Sequence, residues 1–142
     1  MSTIRLTMSQ AVIRYMQAQK VNVAGQIKPL FPGVWAIFGH GNVAGLGEAL
    51  YQARETLPTY RAHNEQAMCH AAIAFTKTLN RRQVMACTAS AGPGSVNMVT
   101  AAAVAHVNRL PLLLLPGDTF ATRKPDPVLQ QVENFHDHTL TS

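Results

Sequence analysis

Two short segments of this chain are apolar at every position, and they constrain its fold more than any other feature. Val84-Met85-Ala86-Cys87 and Leu112-Leu113-Leu114-Leu115 show none of the alternation between apolar and polar side chains that a half-exposed strand has. Strands of this kind are buried on both faces, which is typical of parallel sheets covered by helices. The two segments therefore predict an α/β fold in which a parallel sheet carries helices on both faces.

The remaining sequence alternates between helix and strand patterns. The predicted order is a helix over 7–20, a strand over 34–38, a strand over 58–63 that leads into a helix through 75, a strand over 84–88 followed by a helix over 95–107, and a strand over 110–115. The predicted apolar face of the first helix consists of Met8, Ala11, Val12, Tyr15 and Met16. No repeat or linker divides the 142 residues, so one domain spanning 1–142 is predicted.

The charge and cysteine patterns disfavour several classes of protein. The formal net charge is +5, but basic residues are adjacent only at Arg81-Arg82 and Arg123-Lys124, which argues against a nucleic-acid-binding surface. Cys69 and Cys87 form no CxxC motif, and no HExxH sequence indicates a zinc site. No GxSxG sequence indicates a serine hydrolase. His136-Asp137-His138 is interpreted as a solvated tail.

The sequence also lacks the patterns of a secreted or membrane protein. The N-terminus has no apolar signal-peptide core, and the longest purely apolar stretch, residues 110–116, is too short to cross a bilayer. Because both cysteines stand among apolar or small residues, we expect them to be reduced and buried. The prediction is a cytoplasmic protein that binds neither nucleic acid nor membrane.

In open parallel sheets, ligands bind beyond the carboxyl ends of the strands. The loops predicted at that edge cover residues 39–47, 63–66, 90–97 and 116–121. The first has GxGxxxG spacing, which departs from the GxGxxG of dinucleotide-binding folds and lacks the lysine of a P-loop. Either its glycines only permit a tight connection, or His40 and Asn42 contact a ligand directly.

Glu65 is the acidic residue that most suggests chemistry. It lies between a predicted strand and a very apolar helix, where partial burial would make its carboxyl a proton donor or a hydrogen-bond partner for a ring nitrogen. The alternative is that it only complements the helix dipole. Residues 90–95 also enter a helix, where backbone amides could hold an anion or a polar ring substituent, or Ser95 could simply cap the helix.

Five segments of the chain carry a resemblance to a known family. They are residues 11–19, Gly39-His40-Gly41, residues 61–67, residues 90–97 and residues 110–117, and they include an HxEQ and an SxGPG sequence after two successive strands. Together they resemble the N-terminal pyrimidine-binding domain of the acetolactate-synthase-like thiamine-diphosphate enzymes, over nearly the whole chain. Within that superfamily, residues 36–50, 57–66 and 108–111 are most similar to the hydrolases that open a cyclic 1,2-dione in inositol catabolism.

The resemblance implies roles for particular residues. Glu65 would hydrogen-bond the aminopyrimidine ring nitrogen of thiamine diphosphate and promote its imino tautomer, and it is the implied catalytic residue. Asn97 would stabilise the turn beside the pyrimidine. The implied cofactor-binding residues are Glu65, Ser90, Gly92, Pro93, Gly94 and Asn97, the implied substrate-binding residues are His40 and Asn42, and no metal ligand is implied.

The resemblance also implies a reaction, which is the hydrolytic opening of a trihydroxylated cyclic 1,2-dione to a deoxyuronic acid by a homodimer or homotetramer. Mg²⁺ and the diphosphate would be bound by a separate domain with a GDG motif, and Gly117-Asp118-Thr119 lacks the second glycine of that motif. The chain is expected to stop before the last strand and helix of a complete domain and to be inactive alone. A carboligase or decarboxylase fragment of the same superfamily and a non-catalytic α/β assembly module are the alternatives.

Overall fold

The computed structural model describes residues 3–118 and 127–132, and within them the four predicted strands of the parallel sheet occur in the predicted order with helices between them. The elements are α1 Met8–Ala18, β1 Lys20–Val23, β2 Gln26–Pro29, β3 Val34–Ala36, α2 Gly39–Asn42, a π-helical turn Val43–Gly47, α3 Glu48–Gln52, β4 Thr59–Arg61, α4 Glu65–Thr78, β5 Ala86–Ala89, α5 Pro93–Val96, α6 Val99–Val107 and β6 Leu113–Pro116. The predicted segments at Arg123-Lys124 and His136-Asp137-His138, and residues 119–121 of the last predicted loop, lie outside the described residues.

A parallel sheet of four strands forms the centre of the fold. Its strand order is β4-β3-β5-β6. Val34 of β3 lies opposite Thr59 on one side and Ala86 on the other, and Ala86 in turn lies opposite Leu113. Because all four strands run in the same direction, their carboxyl ends meet at one edge of the sheet, as the sequence predicts.

Helices cover both faces of this sheet, which confirms the predicted fold class. Along β5, Cys87 and Ala89 pack into a buried cluster with α4 and α6, whereas Ala86 packs into a second cluster with α1 and α3. All four side chains of β5 are buried. A strand with no exposed face has no position for a solvated polar side chain, which explains its unbroken apolar and small-residue sequence.

A short antiparallel hairpin formed by β1 and β2 was not predicted. Its turn is Ala24-Gly25, where both residues have positive φ, at 51° and 85°. Asn22 Oδ1 accepts a hydrogen bond of 2.9 Å from the Gly25 N–H and fixes the turn. The signal was the alternation of Val21, Val23 and Ile27, which is weak because this hairpin is separate from the main sheet and none of its strand residues is fully buried.

Three helices also differ from the prediction. In α1 the buried side chains are Ile13 and Met16, whereas Met8 and Tyr15 of the predicted face are exposed. The predicted helix over 95–107 is divided into α5 and α6. The predicted loop over 39–47 is helical, because the buried side chains of Leu46, and of Ala49 and Leu50 beyond it, fasten this glycine-rich segment to the sheet.

The longest helix in the described part of the chain is α4, with 14 residues. Within residues 3–118 and 127–132, therefore, no helix has both the length and the apolar character needed to cross a membrane.

Candidate functional site

Glu65 is the first residue of α4 and lies at the carboxyl edge of the sheet. Asn64 caps the helix, since its Oδ1 accepts a hydrogen bond of 2.9 Å from the Ala67 N–H. This cap stops the helix from extending backwards and leaves Glu65 half-buried in the first turn. The predicted partial burial of Glu65 is confirmed, and its position in the first turn also complements the helix dipole.

The two oxygens of the Glu65 carboxylate have different surroundings. Asn97 Nδ2 donates a hydrogen bond of 2.8 Å to Oε2. Oε1 accepts no hydrogen bond from any of the described residues, and a Cβ atom built on Gly94 would lie only 3.3 Å from it. The carboxylate is therefore held through one oxygen, and the absence of a side chain at Gly94 leaves space beside the other.

The segment of residues 90–97, called here the Ser90 loop, is fastened by buried hydroxyls and contains a closely packed glycine with positive φ. Ser95 Oγ donates a hydrogen bond of 2.6 Å to the Ser90 carbonyl and lies 3.4 Å from the Gly117 carbonyl. Gly92 has φ +65°, and a Cβ atom there would collide with the Gln130 carbonyl. The alternative role of Ser95 as a helix cap is wrong, because Gly92 occupies the N-cap of α5 and Ser95 bonds backwards to the loop.

The contact between the Ser90 loop and residues 127–132 was missed at the sequence level. Ser90 Oγ donates a hydrogen bond of 3.1 Å to Gln130 Oε1. The two residues are separated by 40 positions, and no local pattern predicts such a contact.

Pro93 begins α5 and is exposed, so of the loop residues predicted to face the cofactor it is the most accessible.

The segment of residues 39–47, called here the Gly39 segment, places His40 and Asn42 at the same edge. Asn42 Nδ2 donates a hydrogen bond of 2.8 Å to the Ala89 carbonyl and so ties α2 to the end of β5. His40 is exposed and forms no hydrogen bond with the described residues. The structure thus shows a structural contact for Asn42, and substrate binding by either residue stays a prediction.

A pocket of about 430 Å³ lies beside the Gly39 segment and was not predicted. The guanidinium of Arg61, at the end of β4, lies 5.5 Å from the centre of the Phe38 ring, which follows β3. The residues that line the pocket are Phe38, Val43, Gly47, Glu48, Tyr51, Gln52 and Arg61. The sequence placed Phe38 and Arg61 at two strand ends but gave no indication that β3 and β4 are neighbours.

Two buried thiols lie beneath the start of α4. Cys69 follows Glu65 by one helical turn, and Cys87 belongs to β5. A hydrogen bond with Cys69, together with burial, raises the pKa of Cys87 above its usual range. The predicted burial of both cysteines is confirmed.

In the described part of the chain no cluster of three or more histidine, cysteine or acidic residues could hold a metal ion.

Comparison with known proteins defines the class to which this fold and site belong. Residues 33–138 match the family described as thiamine pyrophosphate enzyme, N-terminal TPP binding domain, and the chain belongs to that family. The resemblance predicted from the HxEQ and SxGPG sequences is therefore confirmed.

Several curated relatives can be aligned with the whole chain. Over all 142 residues the chain is 54% identical to the 3D-(3,5/4)-trihydroxycyclohexane-1,2-dione hydrolase of Geobacillus thermodenitrificans and 53% identical to the protein of that name from Clostridium tetani. It is 50% identical to the hydrolase 2 of that name from Bacillus cereus. The whole chain is matched each time, and it spans 22% of each relative's length.

Proposed function

We propose that residues 1–142 form the N-terminal pyrimidine-binding domain of a thiamine-diphosphate-dependent hydrolase that breaks a carbon–carbon bond of a trihydroxylated cyclohexane-1,2-dione. The observation that carries the proposal is the half-buried Glu65 carboxylate, whose Oε2 is held by Asn97 and whose Oε1, beside Gly94, accepts no hydrogen bond from the described residues. Identity of 50% or more to dione hydrolases over the full chain supports the same substrate class.

The residues at the sheet edge fit the pyrimidine half of the cofactor. An aminopyrimidine ring offers a nitrogen that a carboxyl group can hydrogen-bond, and Oε1 of Glu65 has no other partner among the described residues. Gly94 leaves room for a ring there, since any side chain would approach Oε1. Ser90, Gly92 and Pro93 complete the loop beside this space.

Each residue of the site then has a defined task. When bound, thiamine diphosphate supplies a nucleophilic carbon and an electron sink for carbon–carbon bond cleavage. Glu65 hydrogen-bonds the ring nitrogen and favours the imino tautomer. The Ser90 loop orients the ring and excludes water from one side of it, and His40 and Asn42 contact the hydroxyl or carbonyl groups of the dione.

The diphosphate and Mg²⁺ require other groups. The described residues contain no acidic cluster that could hold Mg²⁺, so we propose that the metal and diphosphate are bound elsewhere in the enzyme, by groups corresponding to the rest of the relatives' length. A homodimer or homotetramer would bring those groups from one subunit to Glu65 of another. The enzyme is proposed to act in the cytoplasm, without binding nucleic acid or membrane.

A hybrid enzyme tests the proposal. This chain would replace the matching segment of the Geobacillus thermodenitrificans hydrolase, and calorimetry would measure thiamine-diphosphate and Mg²⁺ binding while an assay follows ring opening. We expect the hybrid enzyme to open the dione and its Glu65→Gln variant to be slower by about 10³-fold, as for loss of a proton-transferring group. The 142-residue chain alone should show no turnover.

Other outcomes would contradict the proposal. Full activity of the Glu65→Gln hybrid would remove Glu65 from the catalytic site. Turnover by the chain alone would contradict the need for a second domain. If the hybrid enzyme condensed pyruvate to acetolactate and left the dione intact, the acetolactate-synthase-like alternative would replace the hydrolase.

A further inference from the structure

We propose that Asn97 is a positioning residue that determines which oxygen of Glu65 carries the proton directed at the pyrimidine. This inference rests on the proposed function, because it concerns how Glu65 meets a ring nitrogen. The carboxyl group of Glu65 is asymmetric, because its Oε2 accepts a hydrogen bond of 2.8 Å from Asn97 while its Oε1 has no partner in the described part of the chain.

The chemistry of the contact follows from the donors that an amide carries. The Asn97 amide nitrogen has two N–H donors and no lone pair to accept a proton, so the oxygen that it contacts must act as an acceptor. A proton bound to Glu65 is then favoured on Oε1. Oε1 is also the oxygen that faces the space beside Gly94, where a ring could approach.

The backbone holds Asn97 in place for this task. Asn97 is the C-cap residue of α5, and its backbone N–H donates to the Pro93 carbonyl at 2.9 Å. The same turn is fastened from inside by the 2.6 Å hydrogen bond from Ser95 Oγ to the Ser90 carbonyl. The amide therefore reaches Glu65 from a preorganised turn on a neighbouring element, and both side chains are half-buried.

The isosteric substitution Asn97→Asp separates this role from a structural one. Aspartate keeps the shape of the side chain but replaces the N–H donors with a second carboxylate, which repels Glu65 or competes with it for the proton. If Asn97 only completed the turn, Asn97→Ala, which adds no charge beside Glu65, would leave the chemistry of Glu65 unchanged. If its donor orients the carboxyl group, Asn97→Asp should lose at least as much as Asn97→Ala.

The first measurement uses the 142-residue chain without cofactor. Nuclear magnetic resonance of the asparagine side-chain amides compares the native chain with Glu65→Gln. We expect the Asn97 amide signals to shift and their hydrogen exchange to accelerate, because the acceptor loses its charge. Asn108, whose Nδ2 donates to the Val104 carbonyl at 2.8 Å, is the matched control and should not change. Unchanged Asn97 signals would overturn the proposed contact.

The second measurement uses the hybrid enzyme and follows exchange of the proton on the reactive carbon of bound thiamine diphosphate. We expect Asn97→Ala and Asn97→Asp to slow this exchange by about 10²-fold, as for a misaligned catalytic group, with cofactor affinity changed much less. Asn108→Ala should leave it unchanged. Native exchange rates in Asn97→Asp would overturn the inference and leave the proposed function intact, whereas a hybrid enzyme that binds no cofactor would overturn the proposed function.

Discussion

The Ser90 loop and the Gly39 segment both follow strands of the same sheet and are both rich in glycine, but they differ in how closely their residues are packed. In the Ser90 loop, Ser95 is 3% exposed and hydrogen-bonded to the loop itself, and Gly92 is pressed against Gln130. In the Gly39 segment, His40 is exposed and a Cβ atom added at Gly41 would meet nothing within 4 Å. The Ser90 loop is closely packed around Gly92 and Ser95, whereas the Gly39 segment, although tied to the sheet by Asn42 and Leu46, is open to solvent at His40 and Gly41.

This difference matches two separate tasks at one edge of the sheet. A residue that aligns a cofactor must be held in a defined position, and hydrogen bonds within the Ser90 loop fix the turn that ends at Asn97. A residue that contacts an incoming substrate must be accessible, as His40 is. We infer that the Ser90 loop orients the cofactor and that the Gly39 segment receives the substrate.

Substituting Gly92 should break the fixed loop and gives the largest expected effect. Gly92→Ala forces a side chain into a positive-φ conformation and against the Gln130 carbonyl. We expect a loss of about 3 kcal/mol in the free energy of unfolding, measured by equilibrium urea denaturation. Gly41→Ala is the matched control, and it should change the same quantity by less than about 1 kcal/mol, because Gly41 is helical and has free space around it. Equal losses in the two variants would contradict the distinction between the loops.

Substituting Ser95 should loosen the same loop by a smaller amount. Ser95→Ala leaves the Ser90 carbonyl without its 2.6 Å hydrogen bond in a buried setting. The expected loss is about 1–2 kcal/mol in the free energy of unfolding. Thr100→Ala, at an exposed position of α6, serves as the control and should stay within about 0.5 kcal/mol of the native value. A Ser95→Ala protein as stable as the native one would show that this hydroxyl does not fasten the loop.

The sequence predicted the fold class and drew attention to Glu65 through local patterns. The fold class followed from Val84-Met85-Ala86-Cys87, because a strand that is buried on both faces has apolar residues at every position. Glu65 could also be found, since an acidic residue between a strand end and an apolar helix is unusual in a chain with seven acidic residues. These signals are local, because each depends on a few residues that are neighbours in the sequence.

The contacts that fasten the site are not local and could not be predicted. Asn97 meets Glu65 across 32 positions, and Ser90 meets Gln130 across 40. The first contact depends on the strand order β4-β3-β5-β6, which sets where α4, after β4, and α5, after β5, lie along the sheet edge. The second joins the Ser90 loop to a segment that belongs to no strand or helix. The helical conformation of the Gly39 segment was missed for a related reason, because packing of Leu46 against the sheet outweighs the weak helix propensity of its glycines.

Substituting His40 tests the exposed part of the Gly39 segment and gives the smallest expected change in stability. His40→Ala removes an exposed side chain that forms no hydrogen bond with the described residues, so the free energy of unfolding should stay within about 0.5 kcal/mol of the native value. In the hybrid enzyme, loss of one hydrogen bond to the dione should raise KM by about 5–10-fold with little change in kcat. His106→Ala, at an exposed position near the end of α6, should alter neither quantity. An unchanged KM in His40→Ala would remove His40 from substrate binding, and recognition would then have to come from Asn42 or from other residues, with the pocket beside Arg61 the next place to test.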